Sequence, residues 1–170
     1  MQKDEVQKAL DRFRDHVIRQ AKSNLTRMGK NSSKKLYNSI KGNVKAMPNS
    51  ILIEFSMEEY GYYQDQGVSG IKKKYDTPFS YKSKMPPSKK MDKWMVRKGI
   101  APRNEKGQFA TRKGLSYVIA RSIYINGIKP SLFFTKPFEA AYKKLPDELI
   151  DKFGIEAAKL FMDTITQPKK

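Results

Sequence analysis

From Asp4 to Met28, the apolar residues Val6, Leu10, Phe13, Val17, Ala21, Leu25 and Met28 recur at steps of three or four. That is the spacing of one buried face of an α-helix. It predicts a long N-terminal helix with Asp4 as N-cap and Gly29 as its stop. "NSSKKLYNSIKG" reads as a short second helix, capped by Ser32 or Ser33 and closed by Gly42. The period then changes. In "NVKAMPNSILIEFSM", Ile51, Ile53, Phe55 and Met57 alternate with Leu52, Glu54 and Ser56, and Pro48-Asn49-Ser50 supplies turn chemistry, so a β-hairpin with one face on the core is expected. A long N-terminal helix packed on a small antiparallel sheet, with further C-terminal helices, is an α+β arrangement that buries both apolar faces.

Farther along, "PPSKKMDKWMVRKG" predicts a short helix capped by Ser88, with Met91, Trp94 and Met95 on one face. Its flanks, "IKKKYDTPFSYKSK" and "APRNEKGQFATRKG", read as loops or a mobile hairpin. Residues 115–127 return to the helical period through Leu115, Val118, Ile119, Ser122 and Ile123, stopping at Gly127 with Pro130 beyond. In "TKPFEAAYKKL", Thr135 or Lys136 can cap a helix with Pro137 in its first turn. Asp147 to Ile165 predicts a last helix through Leu149, Phe153, Ala157 and Leu160. The pattern amounts to one α+β domain over 1–166, with a basic insertion at about 71–113 and a frayed tail at 167–170. "YGYYQDQGVSG" falls between hairpin and insertion and reads as a structural junction. There Tyr60 and Tyr63 would pack the sheet against the helices and a neighbouring subunit, while Gly67 and Gly70 let the chain turn outward.

Charge changes this picture most. The 170 residues carry 35 Lys and Arg against 17 Asp and Glu, a formal charge of +18, and Gly70 to Gly114 holds 14 of the cations against three acids. A local excess of that size attracts polyanions. With 38% hydrophobic and 31% charged residues, the chain can fold but is lean enough for part of its surface to be finished by assembly. There is no cysteine, which excludes disulfides, thiol nucleophiles and Cys-ligated zinc. No apolar run approaches the ~20 residues of a transmembrane helix, and the first residues lack a signal-peptide core, so a cytosol-like compartment and no membrane partner are expected.

Candidate chemistry is sparse. His16, the single histidine, has no second imidazole at ligand spacing. Glu58 and Glu59 are adjacent, which turns their carboxylates apart and suits a charged helix start better than an acid–base pair. No P-loop, dinucleotide fingerprint or nucleophile elbow is present. The expectation is a protein that is not an enzyme, with no catalytic residue, no metal and no cofactor. The basic quarter speaks more clearly. Lys72, Lys73, Lys74, Lys82, Lys84, Lys89 and Lys90, interleaved with Tyr75, Phe79 and Tyr81, could bind phosphates by counterion release while the rings stack on bases, without sequence preference. A solvated loop whose aromatics pack locally is the equal alternative, and the same lysines are also candidates for an acidic partner. Trp94 with Met91 and Met95 reads as core.

One order of segments resembles a known family: the long helix, "SILIEFSM", "YGYYQDQGVSG", "MPPSKKMDKWMVRKGI", "LSYVIARSIYINGIKPSLFF" and "KPFEAAYKKL". Over about residues 4–145 it is similar to the neck, or tail-completion, proteins of tailed bacteriophages, which join the DNA-filled head to the tail. The tyrosine-then-glycine block falls on Tyr60, Tyr63 and Gly67, and the proline-helix-tryptophan segment on Pro86, Pro87, Trp94, Lys98 and Gly99. The Gly-Ile-x-Pro exit and its aromatic pair fall on Gly127, Ile128, Pro130, Phe133 and Phe134, and the Pro-Phe-x-x-Ala helix start on Pro137, Phe138 and Ala141.

The resemblance implies an α+β ring subunit of the virion head–tail junction, assembled in the host cytoplasm and needing no cofactor. Its partners would be copies of itself, portal or adaptor and tail proteins, and packaged DNA. Subunit or partner contacts would then fall on Tyr60, Tyr63, Gly67, Trp94, Pro130, Phe133, Phe134, Pro137 and Phe138. The basic insertion around 71–86 and the extended C-terminal helix depart from the family pattern. On the residues alone, a freestanding nucleic-acid-binding protein is the alternative, and a hydrolase or nuclease has the least support. Residues 71–90 are expected to be poorly ordered until a partner binds.

Overall fold

The computed structural model describes residues 3–47, 50–145 and 149. In chain order the elements are α1 (Lys3–Arg27), α2 (Lys35–Ser39), β1 (Lys41–Met47), β2 (Ser50–Ser56), α3 (Tyr60–Gln66), α4 (Ser88–Lys98), α5 (Arg112–Asn126) and α6 (Thr135–Tyr142). The fold is α+β. The chain divides into two compact units: a first unit made of the chain up to Tyr62 and again from Leu132, and an inserted unit, Tyr63–Ser131. The insertion is wider than the expected 71–113. Val68 and Ile128 pair backbone to backbone, so both flanks of the basic segment belong to the inserted unit.

In the first unit, α1 buries Val6, Leu10, Phe13, Val17, Ala21 and Leu25, the face that the periodicity predicts. Asp4 and Glu5 occupy its first turn, where their charge suits the helix dipole. Met28 is exposed because the helix has ended. Gly29 takes φ 62°, its N–H bonds Thr26 O, and the Lys30 N–H returns to Leu25 O at 2.9 Å. These bonds close the last carbonyls of α1.

The second helix differs from expectation. It starts after Lys34, which sits at φ 52° with no side-chain cap, so neither Ser32 nor Ser33 caps it. Gly42 lies inside β1 and is no helix stop. It faces Phe55 across the sheet, and a Cβ there would come within 2.9 Å of the Phe55 ring and 2.7 Å of Arg14 Cγ. The strand uses glycine to seat an aromatic ring.

β1 and β2 pair antiparallel from Lys41↔Ser56 to Met47↔Ser50, with Val44, Ala46, Ile53 and Phe55 buried on one face. The sheet has two strands among the described residues. The outer edge of β1 is closed by Gln7 of α1, whose Oε1 accepts from the Ala46 N–H at 2.8 Å and whose Nε2 donates to Val44 O at 3.2 Å. Phe13, Phe55, Phe134 and Phe138 join α1, β2 and α6 through ring contacts of 5.2–6.1 Å, three of the links to Phe55 being edge-on. Such pairs each contribute about 0.5–1.5 kcal/mol beyond area burial. α6 begins after Phe134, so Thr135 and Lys136 are its first residues and do not cap it. Leu145 and Leu149 complete this core. The Pro48-Asn49 step of the turn, the last helix apart from Leu149, and the tail at 167–170 lie outside the described residues.

The inserted unit packs α4 against α5. Pro87, not Ser88, is the N-cap of α4, and Gly99 ends it at φ 66° with its N–H on Met95 O and Val96 O. α5 starts at Arg112, ahead of the expected Leu115, and its buried positions are Ser116 and Ala120. Val118 is 59% exposed and Ser122 is exposed too, contrary to the expected face. Small residues thus mark the buried positions of this helix. No helix among the described residues is long and apolar enough to cross a membrane.

Candidate functional site

The inserted unit is held by a short backbone clasp. The Val68 N–H bonds Ile128 O and the Ile128 N–H bonds Val68 O, both at 2.8 Å. Three glycines make this approach possible. A Cβ at Gly67 (φ 77°) would meet Ile128 O at 2.6 Å and Pro130 Cδ at 2.7 Å; one at Gly70 would meet Ile125 O at 2.2 Å. At Gly127 it would fall 2.1 Å from Val68 O. Each contact is closer than real Cβ atoms allow, so "GVSG" is a close-packing motif.

Ser69, buried between these glycines, organises the segment that follows. Its N–H bonds Phe79 O, its carbonyl accepts from the Tyr81 N–H, and its hydroxyl donates to Tyr75 O while accepting from the Tyr75 N–H at 3.0 Å. Thr77 Oγ1 donates to Gly67 O at 3.1 Å.

The lysine run lies at the C-terminal end of α5. A helix end leaves carbonyls without intrahelical donors and carries partial negative charge. Here the Ile71 N–H bonds Tyr124 O, and the Lys72 and Lys73 N–H groups bond Ile125 O, at 3.0–3.3 Å. The Tyr124 hydroxyl donates to Lys82 O at 2.8 Å, and its ring meets that of Tyr81. Burial holds the Tyr81 phenol above its usual pKa. The expectation of a poorly ordered 71–90 is thereby corrected for 71–82: the segment follows a hydrogen-bonded path set by Ser69 and the end of α5.

The lysines themselves face solvent. Lys72, Lys73, Lys74, Lys82, Lys84, Lys89 and Lys90 are all exposed. Lys74 Nζ reaches Gly70 O at 2.8 Å, and Lys73 Nζ lies 5.5 Å from the centre of the Tyr75 ring. Across Tyr63–Ser131 there are 16 Lys and Arg against four acids. Of those acids Asp65 is buried and Asp92 pairs with Arg112 at 3.4 Å, leaving Asp76 and Glu105 against a large surplus of cations.

A second exposed feature is the hairpin at 103–109, where Arg103 and Phe109 pair across a turn. Asn104 Oδ1 accepts from the Lys106 and Gln108 N–H groups at 3.1 and 2.9 Å, and Gly107 supplies φ 76°. Phe109 is 73% exposed, with the Arg103 guanidinium 4.3 Å from its ring centre.

The expected contact residues separate into groups. Tyr60 and Tyr63 are exposed, so neither packs sheet against helices, although the Tyr63 ring meets Phe79 edge-on at 4.7 Å. Gly67 and Pro130 belong to the clasp, and Trp94 is half-buried on α4. Phe133, Phe134, Pro137 and Phe138 are buried in the first unit's core and offer no surface to a partner. The rings of Tyr75, Phe79 and Tyr81 are half-buried, with Phe79 packing on Tyr63 and Tyr81 on Tyr124, so they are not fully open to bases.

His16 is half-buried beside Ala9, Arg12, Phe13, Ala141, Lys144 and Leu145 at a cavity of about 280 Å³. No group of three His, Asp or Glu side chains among the described residues could hold a metal ion. Two organisers, Ser69 and Gln7, escape sequence reading because their partners are distant in the chain. The Asn104–Gly107 turn carried a local signal in its Asn and Gly. Compared with protein families, curated proteins and solved structures, the chain matches none.

Proposed function

We propose that the protein is a structural ring subunit of a tailed-phage head–tail connector, placed between portal or adaptor and tail. The observation that carries the reading is the open edge of β2. Gln7 bonds the outward groups of Val44 and Ala46, so the alternate residues of β1 face β2, and by the antiparallel register Ile51, Ile53 and Phe55 turn their backbone N–H groups away from β1. No further strand lies along β2 among the described residues. An unpaired edge is a ready template for a strand of the next copy, and a head-to-tail contact repeated by rotation closes a ring. The resemblance of the segment order to that of neck proteins supports the same reading, in which the protein would sit in the virion with packaged DNA close by.

Negative-stain imaging of the full chain is the direct test, with rings expected. Ile51→Pro removes one outward donor at an edge position where proline is tolerated, so it should leave the monomer folded and abolish rings. A wild-type chain that stays monomeric at every concentration would refute the proposal and leave the alternative, a freestanding nucleic-acid-binding protein.

A further inference from the structure

We infer that the inserted unit binds the phosphate backbone of duplex nucleic acid, through the lysine turn at the end of α5 and without reading sequence. Four observations converge on this. First, the charge is segregated: 16 cations against four acids within Tyr63–Ser131, with one acid buried and another paired. Second, Lys72 and Lys73 are pre-positioned. Their own N–H groups, with that of Ile71, satisfy the carbonyls of Tyr124 and Ile125, so the negative end of α5 is covered by the very residues whose ammonium groups point to water. An anion approaching this end meets lysines in place of bare carbonyl oxygens.

Third, 12 of the 16 cations are lysine. Lysine acts as a compact point charge that tolerates many phosphate geometries, whereas arginine is the usual choice for planar, paired recognition of carboxylates and phosphates alike. This suits a contact that follows a run of backbone phosphates without a fixed geometry. Fourth, the aromatic rings beside Lys72, Lys73, Lys74 and Lys82 are already engaged. Phe79 packs on Tyr63, Tyr81 on Tyr124, and Tyr75 lies beneath Lys73. Single-strand binding draws on rings open for base stacking. With those rings occupied, the lysine turn itself suits a duplex that presents phosphates alone, the open rings of the unit, Phe109 and Tyr117, lying on the 103–109 hairpin and on α5.

This inference does not depend on ring formation. Its test is fluorescence anisotropy of the full chain with two unrelated duplexes of equal length, and with a single strand of that length, titrated in sodium chloride. Both duplexes should bind equally. Affinity should fall steeply between about 50 and 200 mM salt, by about 10³-fold for roughly six phosphate contacts. The triple variant Lys72→Gln, Lys73→Gln, Lys74→Gln should weaken that fall by about 40-fold, the share of three contacts. The pair Lys41→Gln, Lys45→Gln on the exposed face of β1 should leave it unchanged. Circular dichroism of each variant reports folding.

Several results would overturn the inference: no binding at low salt, affinity indifferent to salt, a triple variant with the wild-type slope, or tighter binding to the single strand. Preference for a poly-glutamate chain over the duplex would identify an acidic protein as the partner and overturn it as well. Imaging in the absence of nucleic acid tests the connector reading separately, so the two can fail independently.

Discussion

Gly127→Ala isolates the clasp of the inserted unit. Gly127 sits at φ 73°, ψ −168°, and an added methyl would lie 2.1 Å from Val68 O and 2.6 Å from Gly70 N, both backbone atoms that no rotamer change can move aside. That conformation is essentially confined to glycine and costs a side-chain-bearing residue about 1–3 kcal/mol. Relief requires opening the two Val68–Ile128 hydrogen bonds, each worth about 0.5–1.5 kcal/mol net. The sum is about 2–6 kcal/mol, a large part of the ~5–15 kcal/mol that holds a typical domain. Gly99→Ala is the matched control. Its φ is also positive, at 66°, but nothing lies within 4 Å of the added methyl, so only the left-handed cost of about 1–2 kcal/mol applies. Urea denaturation of both variants, with hydrogen exchange at the Val68 and Ile128 amides, makes the comparison. Equal losses in the two variants, or unchanged protection of those amides in Gly127→Ala, would refute the reasoning.

Other outcomes follow from the same contacts. Phe138→Ala, which removes a side chain 1% exposed and touching Phe13, Phe55 and Phe134, should cost about 3–5 kcal/mol in chemical denaturation. Asn104→Ala should speed exchange at the Lys106 and Gln108 amides, with a global stability change within about 0.5 kcal/mol because the hairpin is exposed. Lys34→Gly should stabilise by roughly 0.5–1 kcal/mol, since a lysine at φ 52° gives way to a residue at ease there. The Tyr81 phenol is favoured in its neutral form by burial, so its contribution to stability is full below the ordinary tyrosine pKa of roughly 10 and is lost as pH rises through its higher folded value. A tyrosinate absorbance titration in which Tyr81→Phe removes no late-titrating step would contradict this.

The elements most legible in the sequence are those decided locally. The buried face of α1, its stop at Gly29 and the alternation of Ile53 and Phe55 each follow from a period or a single backbone conformation. Gly42 was open to misreading because its reason is the Phe55 ring on the facing strand. Phe133, Phe134 and Phe138 look like surface anchors in a linear reading, and only the fold shows that α1 and β2 enclose them. Val118 misled for a related reason: the apolar period of α5 is set by its large residues, whereas its buried positions are the small Ser116 and Ala120. Of the candidate site, the charge was fully legible. The order of its lysines was not, because that order depends on carbonyls about fifty residues downstream.

The division of the chain also has a consequence for synthesis. Phe13 and Phe55 leave the ribosome early, but the rings that cover them, Phe134 and Phe138, lie beyond the 69 residues of the inserted unit. At about 5–20 residues per second, translation of that stretch takes roughly 3–14 s. For that interval the apolar face of α1 and the buried side of the hairpin wait for their cover, and such transiently exposed surface is where a nascent chain is most open to aggregation.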